Sequence, residues 1–258
     1  MEQDWSPLPR PGSRVVVTGA AGGLGQALVK ALTQAGTRVV GIDRVAAPTG
    51  NPDAGDTEHP ADHLTADLTD ETAAAQAVSA ATDRLGGLDA LIGAAGVVDT
   101  VHRAGTFPLA AFKSDVDTNL VAQFVVARAA HAALKESRGA IVFLSSVAAE
   151  DGLPGQAAYA AAKAGVLGLT RSLAAEWAGD GVRVNAVAPG LFATPKVLAL
   201  PPAARDRLLT DVPMGRVATL GEVVGSVLYL LSPAAGYTTG QALRLDGGAG
   251  LTRGGFYR

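Results

Sequence analysis

Short runs of branched aliphatic residues recur along the chain. Between them lie longer alanine-rich stretches whose apolar positions fall three and four residues apart. The short runs predict buried strands at residues 14–20, 37–43, 63–68, 88–96, 139–146, 182–189 and 241–248. The longer stretches predict helices at 24–36, 69–86, 108–136, 155–178 and 220–231. Gly36 closes the first helix, because glycine adopts the left-handed conformation of a helix end without a Cβ clash. Thr69 or Asp70 caps the second by accepting a free N–H of its first turn. Residues 191–219 carry four prolines and read as irregular. Alternation of this kind predicts a single-domain, doubly wound (Rossmann-like) parallel sheet of seven strands with helices on both faces. Near-continuous Val/Ile/Leu strands agree, since such strands are covered on both sides. Residues 1–12 read as a polar, proline-rich tail and 13–258 as one domain, with no internal repeat.

In such sheets, ligands bind beyond the carboxyl ends of the strands, so the residues that close each strand carry the chemistry. The first strand ends in TGAAGGLGQAL, which spaces Gly19, Gly23 and Gly25 between a strand and a helix. Glycine there lets a phosphate approach the backbone, and the following helix offers free N–H groups and a positive dipole end to a pyrophosphate. Asp43 ends the second strand, where a carboxylate can accept bonds from both hydroxyls of an adenosine ribose and repel a 2′-phosphate. That favours NAD over NADP. Arg44 beside it could instead receive such a phosphate. Asp67 and Leu68, after the third strand, are placed to hold an adenine, and Asp67 could equally cap the next helix.

Bulk properties narrow the field. At 258 residues and 48% hydrophobic, the chain can bury a large core. A net charge of −3 gives no electrostatic reason to expect nucleic acid or an anionic membrane as partner. The absence of cysteine excludes disulfides and thiolate metal sites and fits a reducing compartment. The N-terminus has no apolar segment resembling a secretion signal, and no run is long enough to span a membrane. The expectation is a cytoplasmic protein. His59 and His63 stand four apart, but Pro60 between them breaks the helical geometry a metal pair would need, so no metal is expected.

The segment AAYAAAKAG is built of strong helix formers, which puts Tyr159 and Lys163, four apart, on one face of one helix. A serine pair, Ser145–Ser146, closes the strand before it. A phenol titrates near 10, and a nearby ammonium favours its ionised form. Tyr159 could then exchange a proton with an alcohol, with Lys163 lowering its pKa and Ser146 bonding the substrate oxygen.

Together these residues resemble the short-chain dehydrogenase/reductase family over about residues 12–250. TGAAGGLG resembles its cofactor turn, and Ser146, Tyr159 and Lys163 match its S…YxxxK spacing, with thirteen residues between Ser146 and Tyr159. Asn119 in DTNLVAQF resembles the asparagine of its catalytic tetrad, which holds a water linking the lysine to solvent. APGLFAT (188–194) resembles the segment at the nicotinamide end, and TGQALRLDGG (239–248) the last strand. The resemblance implies cofactor contacts at Gly19, Gly23, Leu24, Gly25, Asp43, Asp67, Leu68, Ala94, Ala95, Gly96, Tyr159, Lys163, Pro189, Gly190, Leu191 and Thr194. It implies catalytic roles for Asn119, Ser146, Tyr159 and Lys163, and substrate contacts at Ser146, Gln156 and Tyr159.

The family usually carries Asn-Asn-Ala-Gly after the fourth strand, whereas this chain has Gly93-Ala94-Ala95-Gly96. Two side-chain amides are lost there, which predicts a less rigid loop with cofactor binding retained. The resemblance places substrate walls at 97–106, 147–156 and 191–212, where Val97, Leu153, Gln156, Leu191, Val197 and Leu198 meet few charges. The expected activity is hydride transfer between NAD(H) and a small or medium, partly apolar secondary alcohol or ketone. The alternatives are an NADP-dependent reductase of the same family, a dinucleotide-binding regulator or scaffold without turnover, and an epimerase or dehydratase on a related fold. The family also implies a homo-oligomer, tetramer or dimer.

Overall fold

The structure, a computed structural model, describes residues 5–46, 62–98 and 101–251. Seven parallel strands form one sheet: β1 (Arg14–Thr18), β2 (Arg38–Asp43), β3 (Asp62–Thr65), β4 (Ala90–Gly93), β5 (Ala140–Leu144), β6 (Arg183–Pro189) and β7 (Ala242–Leu245). Their order is β3-β2-β1-β4-β5-β6-β7, so the chain reverses its direction of travel between β1 and β4. That reversal opens a crevice at the carboxyl ends of the two central strands.

The helices are α1 (Gly23–Gln34), α2 (Glu71–Leu85), α3 (Leu109–Val116), α4 (Ala122–Ser137), α5 (Ala148–Asp151), α6 (Ala157–Trp177), α7 (Pro195–Leu198), α8 (Pro202–Leu209) and α9 (Leu220–Leu231). They cover both faces. Alternate residues of β1 point to opposite sides, Val16 into a cluster with Val78, Val126 and Val166 of α2, α4 and α6, and Val15 and Val17 into one with Leu28 of α1 and Val227 of α9. Two cores on one sheet explain why its strands carry no polar face.

The strands are shorter than their apolar runs. β1 stops at Thr18 because Gly19 turns to φ +69°, and β4 stops at Gly93 although small residues continue. The trimmed ends become the loops of the crevice. Asp70, not Thr69, caps α2, its carboxylate accepting the Ala73 N–H at 2.9 Å. The predicted helix at 108–136 is interrupted by a π-helical turn at Asp117–Val121. Residues 191–219 are not irregular throughout, since they hold α7 and α8. Part of the N-terminal tail is docked: Gly12 N–H donates to Gly36 O at 2.7 Å, and Ser6 O accepts from Ala234 N–H at 3.2 Å. His59 of the weighed metal pair lies outside the described residues. Among the described residues no helix is long and apolar enough to cross a membrane, and no group of three or more His, Asp or Glu is placed to hold a metal.

Candidate active site

α6 begins just after Gln156, so Tyr159 and Lys163 stand in its first two turns and face the end of β5. Ser145 Oγ donates to the carbonyl of Lys163 at 2.9 Å, pinning helix to strand. Lys163 Nζ donates to the carbonyl of Leu144 at 2.8 Å and is buried. Burial pushes the Lys163 pKa down to about 8, because an ammonium away from water loses its hydration. The ammonium lies 5.6 Å from the centroid of the Tyr159 ring. Ser146 stands near enough to the Tyr159 phenol to favour its ionised form. Its Oγ also accepts the Ala148 N–H at 3.2 Å, which orients it at the start of α5.

The phenol behaves differently from the sequence expectation. Burial raises its pKa above the ordinary tyrosine value, and Ser146 only partly opposes that. The Lys163 ammonium does not reverse the direction among the chain's own groups. The neutral phenol is therefore the form these surroundings favour, a proton donor toward a carbonyl oxygen.

Asn119 sits in the π-helical turn and is fully buried. Its Nδ2 donates to the carbonyls of Val97 and Asp115, each at 3.0 Å, and its Oδ1 accepts the Val97 N–H at 3.2 Å. The wider turn rotates this side chain toward the loop after β4 instead of along the helix. Gln156 donates from Nε2 to the carbonyl of Val98 at 2.7 Å, joining the loops after β4 and β5.

The two turns at the switch point touch each other. A Cβ placed on Gly19 would stand 2.7 Å from the Cα and N of Ala95. Thr18 bridges beneath them, its Oγ1 donating to Ile92 O and accepting from Ala95 N–H, both at 3.3 Å. Gly96 lies against Asn119 and Lys163, since a Cβ there would be 2.7 Å from Oδ1 and 3.3 Å from Nζ. Gln123, not singled out from the sequence, donates from Nε2 to the carbonyl of Ala95 at 2.6 Å. The one hint of it was a polar residue among the buried positions of α4. The loop that lost its own amides thus receives two from outside, one from the π-helical turn and one from α4.

Pro189 closes β6 opposite Leu245, and Gly190 N–H donates to Leu245 O at 2.8 Å. The Leu191 carbonyl accepts the Ala218 N–H at 3.0 Å. Thr194 caps α7 by accepting the Val197 N–H at 3.2 Å. Pro195 beside it comes to 3.8 Å of a Cβ placed on Gly23, so the chain after β6 arches back over the glycine turn. Arg244, on β7, binds Glu150 at 2.9 Å and Asp151 at 2.6 Å, tying α5 to the sheet edge. A cavity of about 890 Å³ lies elsewhere: Ser13, Asp89, Gly139 and Arg183 line it at the amino ends of β1, β4, β5 and β6.

A family model described as enoyl-(acyl carrier protein) reductase matches residues 19–250, which include both glycine turns of the crevice and the Ser146, Tyr159 and Lys163 group. The chain is 37% identical over 241 residues to cis-4-hydroxycyclohexanecarboxylate dehydrogenase of Sinomonas cyclohexanicum, covering 90% of this chain and 94% of that one. The chain belongs to the short-chain dehydrogenase/reductase family. Another of its relatives is the 3-oxoacyl-[acyl-carrier-protein] reductase FabG of Vibrio cholerae, 34% identical over 92% of this chain and 97% of its own. The crystal structure of gox2181 superposes with a TM-score of 0.88 at 32% identity, covering 95% of this chain and 98% of that one. As a short-chain dehydrogenase/reductase, the protein is an oxidoreductase of alcohol/carbonyl pairs that takes a nicotinamide dinucleotide.

The residues present fit that group. α1 starts without a side-chain cap and without an acid in its first turn, so the N–H groups of Gly23, Leu24 and Gly25 face the crevice with nothing to repel a pyrophosphate. A Cβ on Gly25 would stand 2.0 Å from Gly19 O, so only glycine lets the helix start so close to the turn. Asp43 accepts the N–H of Ala21 at 3.0 Å and of Val45 at 3.2 Å, leaving lone pairs for a sugar hydroxyl. Asp67 folds onto Thr69, accepting its N–H at 2.9 Å and its hydroxyl at 2.7 Å, and is not the helix cap. Leu68 is buried in the core beside the β2 residues Val40 and Ile42.

Proposed function

We propose that the protein is an NAD(H)-dependent dehydrogenase of a small or medium, partly apolar secondary alcohol or its ketone. The observation that carries this reading is the trio at the end of β5 and the start of α6, with Ser146 and Lys163 buried and both close to the half-buried Tyr159 phenol. In the reducing direction, Tyr159 gives its phenolic proton to the carbonyl oxygen while Ser146 donates to the same atom and stabilises the charge gathering there. In the oxidising direction the phenolate takes the hydroxyl proton back. The nicotinamide, when bound, carries the hydride and, in its oxidised form, adds a positive charge that eases ionisation of the phenol. Lys163 neutralises the phenolate across a short distance, and its fixed bond to Leu144 O keeps its charge from wandering. Asn119, spent on Val97 and Asp115, holds the loop over this group.

NAD is favoured by Asp43, whose carboxylate sits at the end of β2 where a 2′-phosphate would come. Arg44 is exposed and adds its charge near Asp67, which supports a surface role over phosphate capture. An apolar substrate is favoured by Val98, Val101, Leu153 and Met214, exposed on loops beyond the carboxyl ends of the strands, and by Leu198, exposed at the end of α7. The named substrate of the Sinomonas relative, a ring-borne secondary alcohol, is consistent with that lining. We place the protein in the cytoplasm, and we propose a homotetramer or homodimer through α4 and α6. Val121, just before α4, and Phe124, in its first turn, are exposed and support that assembly, and sedimentation tests it.

The decisive experiment follows the absorbance of reduced nicotinamide with both dinucleotides over a panel of secondary alcohols and ketones. Tyr159→Phe is expected to lose at least about a thousandfold in kcat while still binding the dinucleotide. Turnover surviving in that variant sinks the proton-transfer role, and a better kcat/KM with NADP sinks the reading of Asp43.

A further inference from the structure

Gln123 is an expensive choice for its position. The side chain is 1% exposed, on the buried side of α4 among Ala122, Val125 and Val126. Its Oε1 has no hydrogen-bond partner, the single such side-chain atom among the described residues. A buried polar atom left unpaired costs about 1–3 kcal/mol, so packing alone would favour a methionine or leucine here. What the residue gains is one bond, from Nε2 to the carbonyl of Ala95. It also needs room that only one residue leaves: a Cβ on Gly93 would stand 2.1 Å from Oε1 and 2.7 Å from Cδ1 of Phe143. Gly93 and Gln123 are therefore interlocked, the amide filling the space that a side chain at 93 would take.

Ala95 is the place where this bond matters. On one side it meets Gly19 of the dinucleotide turn, and on the other Gly96 approaches Lys163. Asn119, four residues before Gln123, grips Val97 in the same loop. We infer that Gln123 is a positioning residue for the dinucleotide, setting the loop after β4 through the Ala95 carbonyl in a geometry that depends on glycine at 93. This rests on the proposed dinucleotide chemistry of the crevice, and it adds the residue that sets the loop's height against the turn after β1.

The test separates positioning from mere stability. Gln123→Met keeps the volume and removes both the tether and the orphaned oxygen. Because the lost bond to Ala95 is set against the removal of the orphaned oxygen, the thermal midpoint should stay the same or rise. Dinucleotide Kd and KM should nevertheless rise about tenfold, with kcat within about twofold. Gly93→Ala should also weaken dinucleotide binding. Combining it with Gln123→Ala should bind better than Gly93→Ala alone, since trimming the amide frees the contested space. Binding is read by titration calorimetry without substrate. A wild-type chain that binds neither NAD nor NADP fails the functional reading itself. A wild-type chain that binds, with Gln123→Met binding equally or weakening only in step with a lowered midpoint, overturns the inference, as does a double variant worse than both singles.

Discussion

The two glycine-bearing turns that meet at the switch point are held by opposite means. The turn after β1 is made almost wholly of backbone: Gly19 N–H donates to Ile42 O, Gly22 N–H to Gly19 O, and Gly25 packs on Gly19 with no space for a Cβ. Two side chains reach into it, both at Ala21: Asp43 accepts its N–H, and Gln26 donates to its carbonyl at 2.6 Å. The turn after β4 has the fewest contacts of its own and is gripped by buried polar side chains from the facing helices, Asn119 and Gln123, with Lys163 alongside. A motif that shapes itself locally can be read from a dozen consecutive residues. A loop shaped from outside leaves its cause some twenty-five to thirty residues downstream, as with Ala95 and Gln123.

The strongest way to break the first turn is Gly25→Ala. Its Cβ would meet Gly19 O at 2.0 Å and Ala20 Cα at 2.7 Å, both backbone, so the turn itself must move. Dinucleotide affinity should fall by more than about a hundredfold, and stability by about 2–4 kcal/mol. Gly23→Ala is the matched control, because the nearest atom to its Cβ is 3.8 Å away. It should leave the unfolding midpoint unchanged while still hindering a pyrophosphate. Calorimetric titration beside urea unfolding reads both, and equal effects of the two substitutions would deny that local packing shapes this turn.

The second turn should answer to a residue outside it. Asn119→Ala removes three hydrogen bonds to the backbone of Val97 and Asp115 made by a fully buried side chain. A loss of about 2–4 kcal/mol is expected from urea unfolding, since buried backbone groups lose their partners. Gln123→Met, on the same helix, should cost nothing, which sharpens the contrast between a satisfied amide and a half-satisfied one. A cost below about 1 kcal/mol for Asn119→Ala would mean that the loop carries its own stability after all.

The sequence pattern reached the architecture because periodicity is a local property. The 220–231 helix is found at those residues, with Thr219 and Glu222 forming its capping box, and Tyr159 and Lys163 share a face as the i, i+4 spacing requires. Strand ends were overrun because Gly19–Ala20 and Ala94–Gly96 stay small and apolar after pairing has ended. α7 and α8 were hidden by Pro195 and Pro202, read as breakers although proline is at home in a helix's first turn. The π-helical turn that aims Asn119 has no signature in DTNLV, because it reflects where the loop after β4 must be met. The interlock of Gly93 and Gln123 is a tertiary fact, as is the upward shift of the Tyr159 phenol, which depends on how much of it α6 buries.

Charge offers the finest distinction between the turns, because an ammonium is buried beside the second alone. Lys163 has its pKa lowered from 10.5 to about 8 by burial. Below about pH 8 folded and unfolded chains both hold the proton, and the fold bears the full cost of the buried ammonium. Between about 8 and 10.5 the folded chain releases a proton that the unfolded chain keeps, so this group makes stability rise with pH, by at most about 1.4 kcal/mol per unit. Tyr159, raised by burial, is protonated in both folded and unfolded chains up to about pH 9 and does not offset the gain there; nearer 10 the unfolded phenol ionises first and opposes it. Urea unfolding of the wild type and of Lys163→Met, compared between about pH 7.5 and 9.5, should show the wild type gaining on the variant as pH rises. The loss of the Leu144 carbonyl's donor shifts the variant by a constant and leaves the slope untouched. A difference that stays flat, or that runs the other way, would place the ammonium in contact with water and remove the electrostatic contrast between the two turns.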